Sequence, residues 1–390
     1  MTMSNRNNHN LTPDKELINR RRPRICMLTQ RNFAHNAFRC GFYESQDVLS
    51  DVDDVDLLYL KPGKAYELRD SFQRKIIRHD FSRQIVSAAV PIQPIRLTRE
   101  YDLFIAYFPL IKDLPQISAV QGWKDCCGVS ICWIDECWLS DVSKYKFWLP
   151  VLNDFDYVML GLNGTVKTVS DIIKRPCHFI PGGVDAIRFS PYPSPPDRVI
   201  DIYSIGRMWE AVHNAFLDIA AKKEMFYVYD TFLASDTKVI DHRRHREMLA
   251  NVAKRSRYFF VAPAKMDMHE ETRGQIEFGF RYYEASAAGA VMLGQTPDSE
   301  SFRTMFNWPD AVIEIQPDGS DVADVLESLV SQTKRLSEIS RRNATEALLR
   351  HDWVYRWEKI LNIVGLKPTP ELEIRENRLK QIAERVGNKE

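Results

Sequence analysis

The stretch Gly274 to Gly294, GQIEFGFRYYEASAAGAVMLG, holds the residue types that an anionic, hydroxyl-bearing ligand needs. Backbone can approach a ligand closely at Gly279, and the small-residue helix expected after it offers unpaired amides and a positive dipole end to a phosphate. Glu284 lies in the first turns of that helix, where a carboxylate can accept two hydroxyl hydrogens from a ribose or simply favour the helix dipole. Arg281 opens the helix beside Gly279. It can neutralise a phosphate, or pair with Glu277 four residues earlier for roughly 0.3 kcal/mol on an exposed face. In the first half of the chain, ICWIDECW (Ile131 to Trp138) ends a buried run with two acids. A carboxylate at a strand's carboxyl end, Asp135 or Glu136, could orient or deprotonate an acceptor hydroxyl; alternatively one caps the next turn and the other faces solvent. His35 and Asn36, in TQRNFAHNAFRCG, could touch phosphate or acceptor, or be polar surface.

Other clusters read as bland. Cys126, Cys127, Cys132 and Cys137 are spaced C-C-x4-C-x4-C, not as repeated C-x2-C pairs, and Cys132 falls inside an apolar run, so buried thiols are expected instead of a metal site. The run DHRRHR (Asp241 to Arg246) lacks interleaved aromatics and reads as a solvated helix face. No G-x-x-x-x-G-K-[ST] loop, G-x-S-x-G elbow or H-E-x-x-H helix occurs, and the chemistries those motifs carry drop out.

These residues need a frame to hold them, and the apolar pattern supplies one. ICML (from Ile25), VDLLYL (Val55 to Leu60), YDLFIAYF (Tyr101 to Phe108), VSICWI (Val129 to Ile134), DYVMLG (Asp156 to Gly161) and CHFIP (Cys177 to Pro181) alternate with stretches of helical spacing. Short β-branched and aromatic runs of this kind suit strands buried on both faces of a parallel sheet. PYPSPPDR (Pro191 to Arg198) then places four prolines in eight residues, a linker composition. The alternation restarts with VIDIYSIG (Val199 to Gly206), MFYVYD, YFFVAP, AVMLG and AVIEI, and the chain closes on helical patterns from about Ser320. The expected organisation is a mobile start (1–23), a first α/β domain (24–190), a linker (191–198), a second α/β domain (199–350) and C-terminal helices (351–390). Two doubly wound domains put ligands where strand carboxyl ends face each other across a cleft.

Composition bounds the function. At roughly 150 residues per domain, 390 residues make two or three domains, and 44% hydrophobic residues can bury ordinary cores. Lys plus Arg and Asp plus Glu are both 53, so the formal charge is zero, which disfavours a nucleic-acid-coating or polybasic membrane protein. The opening 24 residues lack the apolar stretch of a signal peptide, and seven cysteines is an odd number, so a reducing, cytoplasmic setting is expected. Arg20, Arg21, Arg22 and Arg24 read as a solvated entry to the first strand; contact with the inner membrane surface through them is a secondary expectation.

The Gly274 to Gly294 segment resembles the GT-B glycosyltransferases, specifically the retaining nucleotide-sugar enzymes of glycosyltransferase family four and their relatives. Their E-x-F-G-x-x-x-x-E-A-x-A-x-G pattern is matched by Phe278, Gly279, Glu284, Ala285, Ala287 and Gly289; the first Glu falls on Ile276, with Glu277 one residue later. HFIPGGVDAIRFSP (His178 to Pro191) is similar to the family's interdomain junction, with Gly182 and Gly183 for a tight turn, Asp185 as a cap and Phe189 as a plug. YSIGRMWEAVH (Tyr203 to His213) is placed like the strand and G-R that neutralise the donor diphosphate. Arg207 matches the Arg, and Val212, with His213 after it, stands where the family has a Lys. HDWVYRWEKIL (His351 to Leu361) looks like the Trp-bearing helix that crosses back onto the first domain.

The resemblance implies an α/β protein of GT-B type: two Rossmann-like doubly wound domains facing a cleft, with C-terminal helices crossing back. It also implies transfer of a sugar from a nucleotide diphosphate sugar to an acceptor hydroxyl with retention of configuration, by same-face attack assisted by the leaving phosphate. No protein nucleophile, metal or other cofactor is then required. Catalytic candidates are Arg207, Arg281, Glu277, Asp135 and Glu136; donor-binding candidates are Phe278, Gly279, Glu284, Lys265, Arg273 and His213. Partners would be the nucleotide sugar and a glycan, lipid-linked or small-molecule acceptor, without nucleic acid. The displaced Glu and missing Lys keep open a catalytically silent module binding a glycan or protein, and a nucleotide-sugar hydrolase or epimerase.

Overall fold

The computed structural model describes residues 23–79, 83–223, 225–231 and 237–387. Of the expected mobile start (1–23), residues 1–22, with Arg20, Arg21 and Arg22, lie outside the described residues.

Two all-parallel sheets carry the molecule. The first has the order β2-β1-β4-β6-β7-β8, from β1 (Ile25–Thr29), β2 (Val55–Tyr59), β4 (Tyr101–Leu110), β6 (Cys127–Glu136), β7 (Tyr157–Leu160) and β8 (Cys177–Phe179). The second runs β10-β9-β11-β12-β13, from β9 (Ile200–Ser204), β10 (Tyr227–Tyr229), β11 (Ser256–Val261), β12 (Val291–Gly294) and β13 (Ile313–Glu314). Every one of these strands falls on an apolar run read from the sequence. A further two-residue pair, β3 (Ile95–Arg96) with β5 (Val120–Gln121), has no such run behind it. The segment 191–198 between the sheets forms neither helix nor strand.

Side-chain alternation decides what each sheet face packs on. In β4, Phe104, Ala106 and Phe108 point into a core shared with Trp123 and Phe155, while Leu103, Ile105 and Tyr107 point the other way. That second face belongs to a core continuous with Tyr203 and Phe259 of the second sheet and Trp353 and Trp357 of the C-terminal helix Trp353–Ile363. Trp353, Trp357 and Leu361 form the buried stripe expected of that helix, and Trp357 Nε1 donates to Ser45 O at 2.8 Å. A last helix, Pro370–Gly387, is tied in by Arg375, which pairs with both Asp185 and Asp352 at 2.8 Å.

The junction before the linker works differently from the sequence expectation in one respect. Neither Gly182 nor Gly183 has positive φ. A Cβ on Gly183 would meet the Trp353 ring at 3.0 Å, and one on Gly182 would meet Phe280 and Tyr283 at 3.2 Å. The glycines therefore serve close approach of the C-terminal helix and the second domain, not a left-handed turn. Asp185 accepts from Arg188 N at 3.1 Å, and Phe189 is fully buried with the Arg246 guanidinium 4.7 Å over its ring.

Candidate functional site

Strand order locates the cleft. Each sheet reverses its winding once, between β1 and β4 in the first and between β9 and β11 in the second, and ligands of doubly wound sheets sit outside the strand carboxyl ends at such points. Beyond β9 the chain turns at Gly206, whose φ of +81° needs glycine. Its N–H is held by both Asp230 oxygens at 3.1 Å. Arg281 lies across this turn: Nε donates to Ile205 O at 2.9 Å, Nη1 bonds Glu284 at 2.7 Å, and a Cβ on Gly206 would sit 3.1 Å from Nη2. The alternative pairing of Arg281 with Glu277 is not formed. Gly279 precedes the helix Phe280–Ala287 and has no atom within 4 Å of where a Cβ would be, so an incoming group has room beside Arg281.

Other candidate cations line the same end of the second sheet. Arg207 pairs with Asp267 at 3.1 Å, both half exposed. Lys265, just beyond β11, reaches across the cleft to Glu136 at 3.0 Å and also pairs with Glu271 at 3.1 Å, its ammonium 4.9 Å from the Trp138 ring. Burial opposes the Lys265 charge, but the two carboxylates outweigh it and hold the ammonium above its ordinary range. Arg273 donates to Ser143 Oγ of the first domain at 3.2 Å.

Three expected site residues are engaged by other side chains of the protein. Glu284 is fully buried: one oxygen takes Arg281 and the other takes Arg246, which in turn holds Glu44 of the first domain at 2.6 Å. Burial alone would raise its carboxyl, but the two guanidinium groups bring it down to about 2. The ribose role read from its position is thus replaced by an ion-pair chain, Glu44–Arg246–Glu284–Arg281, running from one domain to the other. His213 bonds Tyr227 Oη at 2.9 Å and packs edge-on against Tyr229, which sets it against edge strand β10 instead of beside Arg281. Val212 is fully buried among Phe216 and Ile219, so the position of the family's Lys is a core position here. Phe278, only half-buried, packs among Tyr282, Phe302 and Phe306 as part of an aromatic wall.

Glu277 faces the opposite domain. It accepts from Gly164 N at 2.9 Å and from Gln275 Nε2 at 2.8 Å, while Gln275 Oε1 accepts from Leu139 N at 2.9 Å. These two side chains therefore satisfy first-turn amides of the first-domain helices Asn163–Ile173 and Leu139–Lys144. Burial raises the Glu277 carboxyl. Ile276, in register with the family's Glu, is 42% exposed. A cavity of about 290 Å³ lies between the domains here, lined by Asn163, Gly164, Arg273, Gln275, Glu277 and Ser301 among others.

On the first-domain side, Glu136 accepts from Trp138 Nε1 at 2.7 Å as well as from Lys265. Asp135 keeps one buried oxygen without a hydrogen-bond partner among the described residues, and burial, with Glu136 beside it, raises its carboxyl well above the ordinary range. The loop with His35 and Asn36 zips onto the second domain, Val239 N donating to His35 O at 2.6 Å and Ala37 N to Thr237 O at 2.9 Å. The DHRRHR run is a solvated face only in part: Arg243 and Arg244 are exposed, but His242 and Arg243 both hold Asp47 at 2.8 Å, and Arg246 is buried. Arg246 and Gln275 were missed by sequence reasoning. The available signal was the i, i+1, i+4 spacing of His242, Arg243 and Arg246 behind the helix cap Asp241, which puts an imidazole and two guanidinium groups on one side of a helix.

Residues 200–362 match a family described as glycosyl transferase-like. No curated protein matches the chain in sequence. Among solved structures, an alpha-glucosyltransferase (AGT) in complex with UDP is 11% identical with a TM-score of 0.51, covering 87% of this chain and 99% of that one. An alpha-glucosyltransferase complex with UDP and a 13-mer DNA containing an HMU base also gives 0.51 at 11% identity, over 87% and 98%. Anabaena Alr3699/HepE in complex with UDP gives 0.49 at 11% identity, over 88% and 99%. The chain thus has the GT-B glycosyltransferase fold, with a second domain that is glycosyl transferase-like in sequence.

Proposed function

We propose that the chain transfers a hexosyl group from a UDP-sugar to an acceptor hydroxyl with retention of configuration. The observation that carries this reading is Arg281, fixed across the Gly206 turn by Ile205 O and Glu284, beside open space at Gly279. There its guanidinium meets the diphosphate, whose leaving group gains about one negative charge in the transition state, and a preorganised cation at that point lowers the barrier. Arg207, half exposed at the same strand end, is the second phosphate cation. The UDP complexes of the solved GT-B neighbours support uridine as the base.

The bond from the anomeric carbon to the diphosphate oxygen breaks while the acceptor oxygen bonds the same face, and the acceptor proton passes to a leaving phosphate oxygen. The residues then need only orient and stabilise charge; neither a protein nucleophile nor a metal is invoked. The interdomain cavity at Glu277, Gln275 and Asn163 has the amide, carboxylate and hydroxyl lining that sugar recognition uses. Glu136, clamped by Lys265, and Asp135 border the acceptor side at the carboxyl end of β6. The acceptor is a glycan, lipid-linked or small-molecule hydroxyl in the cytoplasm, not a nucleic acid.

A donor panel of UDP-, GDP- and ADP-sugars with product analysis tests the reading. It expects a UDP-sugar to be consumed and the glycoside formed to keep the donor's anomeric configuration; an inverted product overturns retention, and no consumption of any donor overturns the enzyme. The buried Val212, which supplies no cation, favours a silent binding module as the second reading, and that reading predicts the latter result.

A further inference from the structure

A nucleoside diphosphate asks for a cation at its phosphates and an acceptor at the two vicinal hydroxyls of its ribose. A carboxylate suits the second task, because its two oxygens can take both hydroxyl hydrogens. Glu284 stands where the sequence pattern puts that carboxylate, but its oxygens are engaged by Arg281 and Arg246. Asp267, at the same strand ends, is engaged by Arg207. Asp230 is a third acid beside Arg281, and its engagement is lighter.

Asp230 follows the last residue of β10. Strands β9 and β10 run parallel with Tyr229 beside Ser204, so Asp230 comes level with the turn at Ile205 and Gly206. Both of its oxygens share the Gly206 N–H at 3.1 Å, which leaves most of the roughly four acceptor positions of a carboxylate open. The residue is half-buried. Burial raises its carboxyl, while the Gly206 N–H and the Arg281 charge act against that rise. Since Arg281 Nη2 lies 3.1 Å from where a Gly206 Cβ would be, guanidinium and carboxylate flank one glycine. Ribose follows its phosphate by a single methylene group, so phosphates on Arg281 bring the hydroxyls to the same turn. Dinucleotide folds place an acid about 20 residues beyond a glycine turn to bond the ribose; the separation from Gly206 to Asp230 is 24 residues.

We propose, on the strength of the UDP-sugar reading, that Asp230 holds the donor ribose, its carboxylate accepting from the 2′ and 3′ hydroxyls while the Gly206 N–H fixes it in place. The contact that the family pattern gives to Glu284 thereby moves to the tip of β10, and Glu284 is released to tie Arg281 to the first domain. The rival is a cap alone: Asp230 then holds the Gly206 turn and touches no ligand.

Calorimetric titration of the full chain with UDP and with 2′,3′-dideoxy-UDP separates the two, because a cap does not distinguish these ligands. The wild type binds UDP roughly tenfold or more tighter than the dideoxy compound, as hydrogen bonds to a charged acceptor require. In Asp230→Ala the two ligands bind within about twofold of each other. Asp230→Asn keeps a carbonyl oxygen for the Gly206 N–H, so it narrows the preference with the melting temperature unchanged. Glu284→Gln weakens both ligands and leaves the preference as in the wild type. Wild-type preference in both Asp230 variants overturns the proposal, as does a preference lost in Glu284→Gln alone, which would return the ribose to Glu284. In either case UDP still binds and the UDP-sugar reading survives; saturable binding of neither ligand by the wild type overturns that reading and the proposal together.

Discussion

Arg281 and Glu284 show how far identity and spacing reach at the scale of a residue. Their positions beside Gly279 were readable from the motif, but the burial of Glu284 was not, because it depends on Arg246, 38 residues away. A carboxylate held down to about 2 by guanidinium partners contributes stability that is fully present above its ordinary value near 4.5 and is lost as pH falls toward 2. Denaturant unfolding from pH 7 to 2 should therefore show wild-type stability falling most steeply below about pH 4.5. Glu284→Gln should be less stable at neutral pH by roughly 3 kcal/mol, because Arg246 loses a buried partner, and its profile should be flatter below pH 4.5. Val212 makes the complementary point. Its apolar environment, not a gap awaiting a cation, explains the departure from the family, so Val212→Lys should lower stability on the order of several kcal/mol in a thermal melt without raising any transfer rate.

Elements were more legible than the contacts between them. A strand buried on both faces is apolar throughout, as in β1 and β4, and even the half-buried edge strands β2 and β8 left a local signature, whereas β3 and β5, two residues each, left none. Caps that cross the cleft have no local signature either: Glu277 meets Gly164, 113 positions away, and Gln275 meets Leu139, 136 away. The inward side of the basic helix His242–Lys254 escaped the sequence for the same reason, since its partners Asp47 and Glu44 lie on the helix Cys40–Val52 of the other domain. If these caps hold the cleft closed, Gln275→Ala with Glu277→Ala should speed hydrogen exchange at the Leu139 and Gly164 amides by roughly fivefold per lost bond of about 1 kcal/mol. Unchanged protection at both amides would mean that the helix ends are shielded by something else.

The whole molecule is two sheets sharing one continuous core with the returning C-terminal helix, so the site lies between units that are already packed together. Net charge of zero said little about it; the useful quantity is where single cations are fixed, and Arg281 is fixed by both the strand end and the interdomain ion-pair chain. That arrangement makes nucleoside diphosphate recognition the central claim. Calorimetric titration of UDP and UDP-glucose into the full chain and into Arg281→Ala tests it directly. One saturable site is predicted, weakened roughly ten- to hundredfold in the variant, as loss of a charged hydrogen bond to phosphate requires. Absence of saturable binding by UDP or UDP-glucose, or equal affinity in the two proteins, would contradict it.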